Sequence, residues 1–309
     1  MNHDQKAYCG IDVSKHHLDA WVNGKPKRFS NTVKGVEALM AHAENVHFVF
    51  ESTGGYERMA AWMLMAANKP ASIVNPALVR HYAISVGERA KTDRIDSRII
   101  TEFASHVHPE PAKKPSKRQR MLCAYVDRRQ QLTEMHTAEV NRLDTAGDPV
   151  FRRLVQKHLR WIERELKALE TKITETIRED VHMNEASKRI QKIKGLGKIC
   201  AATLLAHLPE IGTLTRQEVA ALAGLAPYCR DSGTTSFRRH IQGGRKRLRG
   251  CLYMGAVCAI QHNPVMKEFY HRLVEENHRP AKVALTAVMR KLLIAANSSV
   301  KNPDFGLVA

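Results

Sequence analysis

The chain has 309 residues, 43% of them hydrophobic, and carries 49 Lys+Arg against 31 Asp+Glu for a formal net charge of +18. That length fits two domains with a connecting element, at about 150 residues per domain. The apolar fraction excludes a disordered tail or a disulfide-stapled miniprotein, and the modest Gly, Pro and aromatic content excludes collagen-like and low-complexity chains.

In chain order, AYCGIDV reads as a strand with a glycine near its centre, and HLDAWVN and KRFSNT as the second and third strands of a meander. GVEALMAHAENV has helical spacing, HFVFEST is β-rich, GYERMAAWMLMAANK is a second helix and ASIVNP a short strand ending at Pro76. LVRHYAISV and DSRIITEFASH follow as helices. The pattern predicts an α/β domain over residues 1–110, a mixed sheet flanked by helices. HPEPAKKPSKRQR, with three prolines and five Lys/Arg, is an extended linker. Residues 111–185 hold this linker and long helices, with Leu159, Ile162, Leu166, Leu169 and Ile173 at spacings of 3, 4, 3 and 4. This is a heptad seam with charged flanks. Pro149 breaks the run, so the two helices form either a hairpin or an oligomeric coiled coil.

Residues 186–309 are predicted to be mainly helical. They open with IQKIKGLGKICAATLLAHL, a Gly-Leu-Gly turn between helical stretches in the helix-hairpin-helix pattern. EVAALAGL, the loop APYCRDSGTTSFRRHIQGGRKRLRG and the helices from CLYMGAVCAIQ onward complete the chain. The longest apolar run, Met59 to Ala67, has nine residues, short of the about 20 a membrane span needs, so no span is expected. The N-terminus has no apolar h-region, so no secretory signal is expected either. Cysteines 9, 123, 200, 229, 251 and 258 include no C-x-x-C pair and read as free thiols of a reducing cytoplasm.

Charge is unevenly spread. Residues 1–110 hold 13 basic and 12 acidic groups, residues 111–185 hold 16 and 12, and residues 186–309 hold 20 and 7. A cationic end of this kind attracts polyanions, above all nucleic acid. Lys192, Lys194 and Lys198 flank the Gly-Leu-Gly turn, whose following helix N-terminus suits a phosphate. Arg238, Arg239, Arg245, Lys246, Arg247 and Arg249 crowd the later loop and read as phosphate contacts.

Four carboxylates form the other constellation. Asp12 in GIDVS and Glu51 in FVFES sit at or near strand ends, and Asp93 and Asp96 are three apart in KTDRIDSR. Gathered at one sheet edge they would repel one another, which a divalent cation relieves; an oxygen-only set favours Mg²⁺ or Mn²⁺. Two such ions clamp a phosphodiester. In Asp231-Ser232-Gly233, Ser232 would need a base or a metal to act as a nucleophile, and the surrounding arginines would hold the phosphate. The plain alternative is a Ser-Gly turn with arginines gripping backbone. Tyr228 and His240 lie near enough in sequence to assist proton transfer, or to pack the loop.

GIDVS, FESTGGYE, VNPALVR, KTDRIDSR, the coiled-coil stretch, KIKGLGKICAATLLAHL, AGLAP, DSG and GRKRLRGCLYMGA, in that order, together resemble the DEDD-type insertion-sequence transposases, the IS one-ten family of bacterial mobile elements. The resemblance implies an RNase H-like, RuvC-like N-terminal domain whose tetrad Asp12, Glu51, Asp93 and Asp96 binds Mg²⁺. It also implies a C-terminal transposase domain with Ser232 as nucleophile, and recombination guided by a bridge RNA whose loops pair with donor and target DNA. A homo-oligomer, dimer or tetramer, joined through the coiled coil and working in the cytoplasm at the nucleoid, completes the expectation. Three other readings stay open: a RuvC-like nuclease using water, a non-catalytic nucleic-acid scaffold, and an actin-like ATPase suggested by GIDVS alone, which lacks the second D-x-G loop.

Overall fold

The structure is a computed structural model that describes residues 7–88, 93–228, 240–302 and 304–305, and the backbone alone at 93–95 and 228. It divides into two compact units, Met1–Pro115 and Ser116–Ala309.

The first unit is built on a five-stranded sheet of β1 (Ala7–Val13), β2 (His17–Val22), β3 (Lys25–Ser30), β4 (Val46–Glu51) and β5 (Ala71–Val74), in the order β3-β2-β1-β4-β5. The first three strands are an antiparallel meander, and β1, β4 and β5 run parallel. Asn23 and Gly24, at φ +51° and +77°, make the tight β2–β3 turn, the Asn-Gly chemistry that such hairpins demand. Helix α1 (Val33–His42) is capped by the Thr32 side chain; α2 (Glu57–Ala66) follows β4. Helix α3 (Pro76–Ser85) starts with Asn75 as its cap and Pro76 in its first turn, and α4 (Asp93–Val107) closes the unit. Strand alternation sorts the core into two layers. Cys9, Ile11, Phe48 and Phe50 pack with Leu39 of α1 and Ala60 and Leu64 of α2. Val49, on the opposite face, packs with Val79 and Ala83 of α3 and Ile99, Ile100 and Phe103 of α4. The proline-rich linker runs beside β5: Ala112 N–H donates to Ala71 O at 2.8 Å and Ser72 Oγ donates to Glu110 O at 2.6 Å.

The second unit begins with α5 (Lys117–Thr145) and α6 (Pro149–Arg178). Asp148 accepts from Val150 and Phe151 N–H groups and Pro149 opens α6, which explains the break. Cross-helix pairs Arg129–Glu170, His136–Glu163 and Glu139–His158 climb one helix while descending the other, so the two form an antiparallel hairpin. Leu159, Ile162 and Ile173 of the heptad seam are buried within it. The remaining helices are α7 (Val181–Gln191), α8 (Lys198–His207), α9 (Arg216–Leu222), α10 (Lys246–His262), α11 (Pro264–His271), which continues into a π-helical turn (Arg272–Glu276), and α12 (Ala281–Lys301). A two-stranded ribbon pairs β6 (Pro227–Tyr228) with β7 (His240–Ile241). Leu122 and Val126 of α5 and Ile173 and Ile177 of α6 share one core with Leu204, Leu252, Ala256, Leu292 and Leu293, so segments 111–185 and 186–309 are joined by packing.

On length and composition α12 could cross a membrane, and half of its apolar window is buried in this core. Counting uninterrupted apolar runs misses it because Arg290 and Lys291 split the stretch. Cys9, Cys123, Cys200, Cys251 and Cys258 are free thiols; Cys229 lies outside the described residues. Cys200 of α8 and Cys251 of α10 face each other with their sulfurs 2.8 Å apart.

Candidate active site and nucleic-acid interface

In the first unit, β1 and β4 are in register with Ile11 opposite Phe50. Asp12 and Glu51 are the next residues along these parallel strands, so they close adjacent strand ends on one face. It is the face of Gly10 and Val49, which α4 covers. Gly10 admits the helix: a Cβ there would come within 2.5 Å of Ser97 O and Thr101 N. Its N–H donates to Thr101 Oγ1 at 2.8 Å. Helix α4 runs antiparallel to β1, because Tyr8 OH meets His108 Nδ1 at 3.1 Å beyond the helix C-terminus while Gly10 meets Ser97 and Thr101. Asp12 therefore lies toward the first turns of α4, which begin at Asp93 and carry Asp96. Asp12, Glu51 and Asp96 are half-buried, and Val13 N–H donates to Asp12 Oδ1 at 3.0 Å. The Asp93 side chain lies outside the described residues.

The donors Asp12, Glu51 and Asp96 are all carboxylate oxygens, the chemistry of a hard divalent cation. Among the described residues, however, no group of three His, Cys, Asp or Glu side chains is placed to hold a metal ion.

Two features of this unit escaped the sequence reading. Asp19 stands directly opposite Asp12 on β2, and Arg28 directly opposite Asp19 on β3. Arg28 grips Asp19 with Nε–Oδ1 at 2.8 Å and Nη2–Oδ2 at 3.0 Å. Facing carboxylates repel, and a guanidinium beside the pair offsets that repulsion. The signal was present in the alternation of HLDAWV, which puts Asp19 opposite its apolar neighbours. The second is Glu57, buried just after Glu51. Its Oε2 accepts from Thr53 N–H, Thr53 Oγ1 and Gly55 N–H at 3.2, 3.0 and 2.8 Å. Gly54 and Gly55, at φ +80° and +127°, supply the backbone this turn needs.

In the second unit, Lys192, Lys194 and Lys198 are exposed around the α7–α8 corner. Gly195, at φ +109°, lets this corner rest on α10, since a Cβ would lie 2.6 Å from that of Ala259. Gly197 caps α8 with no side-chain hydrogen bond.

Ser232, with Asp231, Arg238 and Arg239, lies outside the described residues, and so does the Tyr228 side chain. The stem on either side is described: Tyr228 pairs with the exposed His240, and Pro227 with Ile241. Below the stem, Gly224 and Gly244, both at φ +68°, press backbone to backbone, and a Cβ on either would collide with the other side. Arg245 N–H donates to Leu222 O at 2.8 Å. The Arg245 guanidinium takes both oxygens of Glu210 at 2.8 and 2.9 Å and donates to His207 O at 2.9 Å. Burial alone would raise the Glu210 carboxyl, but the hydrogen bonds and charge of Arg245 hold it below the ordinary glutamate value. Arg247 Nη1 and His207 Nε2 lie 2.6 and 3.0 Å from Asp127 Oδ1, ion-pair contacts without hydrogen-bond alignment. Arg249 donates to Ala223 O at 3.3 Å and to Gly243 O. Lys246 is exposed. Of the six cations read from sequence as phosphate contacts, four lie among the described residues, and three of those, the arginines, have intramolecular partners.

Two family models match the chain. The model of DEDD-type IS110 transposases, described as "Transposase", covers residues 9–151, and that of the "Transposase IS116/IS110/IS902 family" covers residues 187–271. The Pilin gene-inverting protein of Moraxella bovis is 26% identical over 312 residues, and that of Moraxella lacunata 27% over 315; each alignment spans 96% of both chains. The insertion element IS900 uncharacterized 42 kDa protein of Mycobacterium paratuberculosis is 30% identical over 138 residues, which is 42% of this chain and 34% of that protein.

Proposed function

The chain belongs to the IS110 family of transposases, DNA recombination enzymes that bind DNA, and from this premise we propose how its own residues do the chemistry. The first unit is an RNase H-like, RuvC-like nuclease domain in which Asp12, Glu51, Asp93 and Asp96 hold Mg²⁺ or Mn²⁺. The observation that carries this reading is the adjacency of Asp12 and Glu51 at parallel strand ends, on the face where α4 begins. Bound there, the cation supplies charge neutralisation at the scissile phosphate. The carboxylates orient the phosphodiester, and Ser232 is the nucleophile. Its Oγ gives its proton to a tetrad carboxylate as it bonds to phosphorus, the bond to one deoxyribose oxygen breaks, and that oxygen takes up the proton. The phosphoserine ester conserves the bond energy for rejoining to a new strand.

Lys192, Lys194, Lys198, Arg238, Arg239 and Lys246 contact DNA phosphates. Target choice belongs to a bridge RNA, which leaves the protein little base sequence to read. The α5–α6 hairpin joins protomers into a homo-oligomer, and the enzyme works in the cytoplasm at the nucleoid. The domain roles are nuclease over 1–110, linker and helices over 111–185, and transposase over 186–309. Relatives named for inverting a gene support recombination with rejoining over simple cutting.

The test is a protein–DNA adduct. Incubation with end-labelled DNA carrying the element's junction, with guide RNA and Mg²⁺, is expected to give a covalent adduct that disappears in Ser232→Ala. Clean hydrolysis without adduct would replace the serine by water and leave a RuvC-like nuclease. An adduct undiminished in Ser232→Ala would remove the serine from its role.

A further inference from the structure

We propose that Glu210 and Asp127 are positioning residues which hold Arg245 and Arg247 and, with Arg249 on backbone carbonyls, make an intramolecular clasp under the β6–β7 ribbon, and that Lys246 alone of this run meets DNA phosphate. The proposal rests on the reading of the second unit as DNA-facing.

The run lies at the start of α10. Arg245 is its N-cap, with no side-chain cap hydrogen bond, and the first turn of the helix contains no acid. Cations there oppose the helix dipole, whose positive end is the N-terminus. The cost is offset by acids brought from distant elements. Glu210, in the turn after α8, takes the planar fork of Arg245 with both oxygens, the geometry in which arginine binds carboxylate most strongly. Asp127 of α5 stands against Arg247 and also against His207 at the end of α8. Arg249 reaches the carbonyls of Ala223 and Gly243, on the two sides of the ribbon base.

Each arginine therefore ties a different part of the unit to the same spot: the α8 end, the long α5 helix, and the turn after α9. Arg249 closes on the Gly224–Gly244 contact, where the two chains of the ribbon come together. Carboxylate partners already neutralise two of the guanidinium charges, so little of their field remains to displace counterions from DNA. Lys246 is exposed at the first helical residue, where a phosphate would be welcomed by both the ammonium and the helix terminus. Net charge alone thus overstates how many cations this segment offers to DNA.

The experiment reads DNA affinity and melting temperature side by side on the full chain. Binding of a fluorescent 30-base-pair duplex of arbitrary sequence is followed by anisotropy across a series of salt concentrations. Wild type is compared with Lys246→Gln, Arg245→Lys, Arg245→Glu, Arg247→Gln and the exchange Glu210→Arg/Arg245→Glu. A phosphate contact contributes about 0.9 to the slope of log affinity on log salt. The expected result is a slope reduced by about one in Lys246→Gln with unchanged melting. Arg245→Lys and Arg247→Gln keep the wild-type slope but melt about 2–4 °C lower, the first because lysine keeps the charge and loses the fork, the second because Asp127 loses the charge of its arginine. The exchange restores melting relative to Arg245→Glu alone.

Arg245→Lys and Arg247→Gln variants that melt like wild type would overturn the clasp, and so would an exchange that restores nothing. An Arg247→Gln variant whose slope falls by about one, as for Lys246→Gln, would overturn the division of roles. Wild-type protein with no affinity for the duplex would sink the DNA-facing reading instead, while the melting data would still decide the clasp.

Discussion

In the first unit carboxylates gather. Asp12, Asp19 and Glu51 end or face one another on neighbouring strands, and Arg28 pairs with Asp19. In the second unit several carboxylates stand apart from one another, against a cation or an amide: Glu210 on Arg245, Asp127 beside Arg247 and His207, Glu218 closing the capping box of α9 with Thr215. The first arrangement raises local negative charge at a sheet edge; the second lowers local positive charge at a helix start. The difference teaches that formal charge locates partners poorly. Residues 1–110 are nearly neutral yet bring three acids together on neighbouring strands, and residues 186–309, with 20 basic and 7 acidic groups, tie several cations into their own scaffold.

The comparison breaks most visibly at the gathered acids. Asp12→Asn or Glu51→Gln is expected to lower strand cleavage at least about 10²-fold, the scale for removing one electrostatic stabiliser of a transition state. Melting and duplex affinity should stay as in wild type. A variant that cleaves normally in a labelled-duplex assay would take that carboxylate out of the site. Close packing comes next. Gly10→Val in the first unit and Gly244→Ala in the second should each cost about 1–3 kcal/mol, from overpacking and, at Gly244, a strained φ. Chemical denaturation measures this, and hydrogen exchange should place the loosened amides in α4 for the first and at the ribbon base for the second.

Acid sharpens the comparison further. The Glu210 carboxyl is held below 4.5, its ordinary value, by Arg245. As pH falls below that value the unfolded chain takes up a proton that the folded one refuses. This part of the stability is therefore full above pH 4.5 and lost as pH drops through the lower folded value. Glu210→Gln should flatten the corresponding segment of a melting curve measured from pH 6 to pH 2.5; an unchanged acid slope would mean the pair contributes nothing. The smallest effect concerns thiols. Burial pushes Cys9 up to about 12, whereas Cys251 is lowered, chiefly by its hydrogen bond with Cys200 and against the pull of burial. Brief alkylation with iodoacetamide at pH 8, read by peptide mass spectrometry, should label Cys251 well before Cys9. Equal labelling of the two would remove this contrast between the units.

Local pattern made much of this legible. The alternation of AYCGIDV and the apolar HFVFES predict β1 and β4 and put Asp12 and Glu51 at their ends; Asn75-Pro76 and Asp148-Pro149 mark helix starts that the structure repeats. What stayed hidden depends on contacts between residues distant in sequence. The heptad seam from Leu159 to Ile173 suits a hairpin and a dimer equally, and cross-helix pairs such as Arg129 with Glu170 show that α6 packs on its own chain's α5. Arg247 and Asp127 are 120 positions apart, so no reading of GRKRLRG alone finds the acid beside it. Asp19 was overlooked because its meaning comes from register with Asp12, a cross-strand fact that spacing along one strand does not contain.

The contact of Ala112 and Glu110 with β5 has a practical bearing on dissecting the molecule. A bare strand flank is a template for a neighbouring polypeptide, and here the chain blunts its own with the segment that leads into α5. A fragment truncated at residue 107 would leave Ala71–Val74 open along that side and invite clumping through intermolecular strand addition. One truncated at residue 115 would carry its own shield.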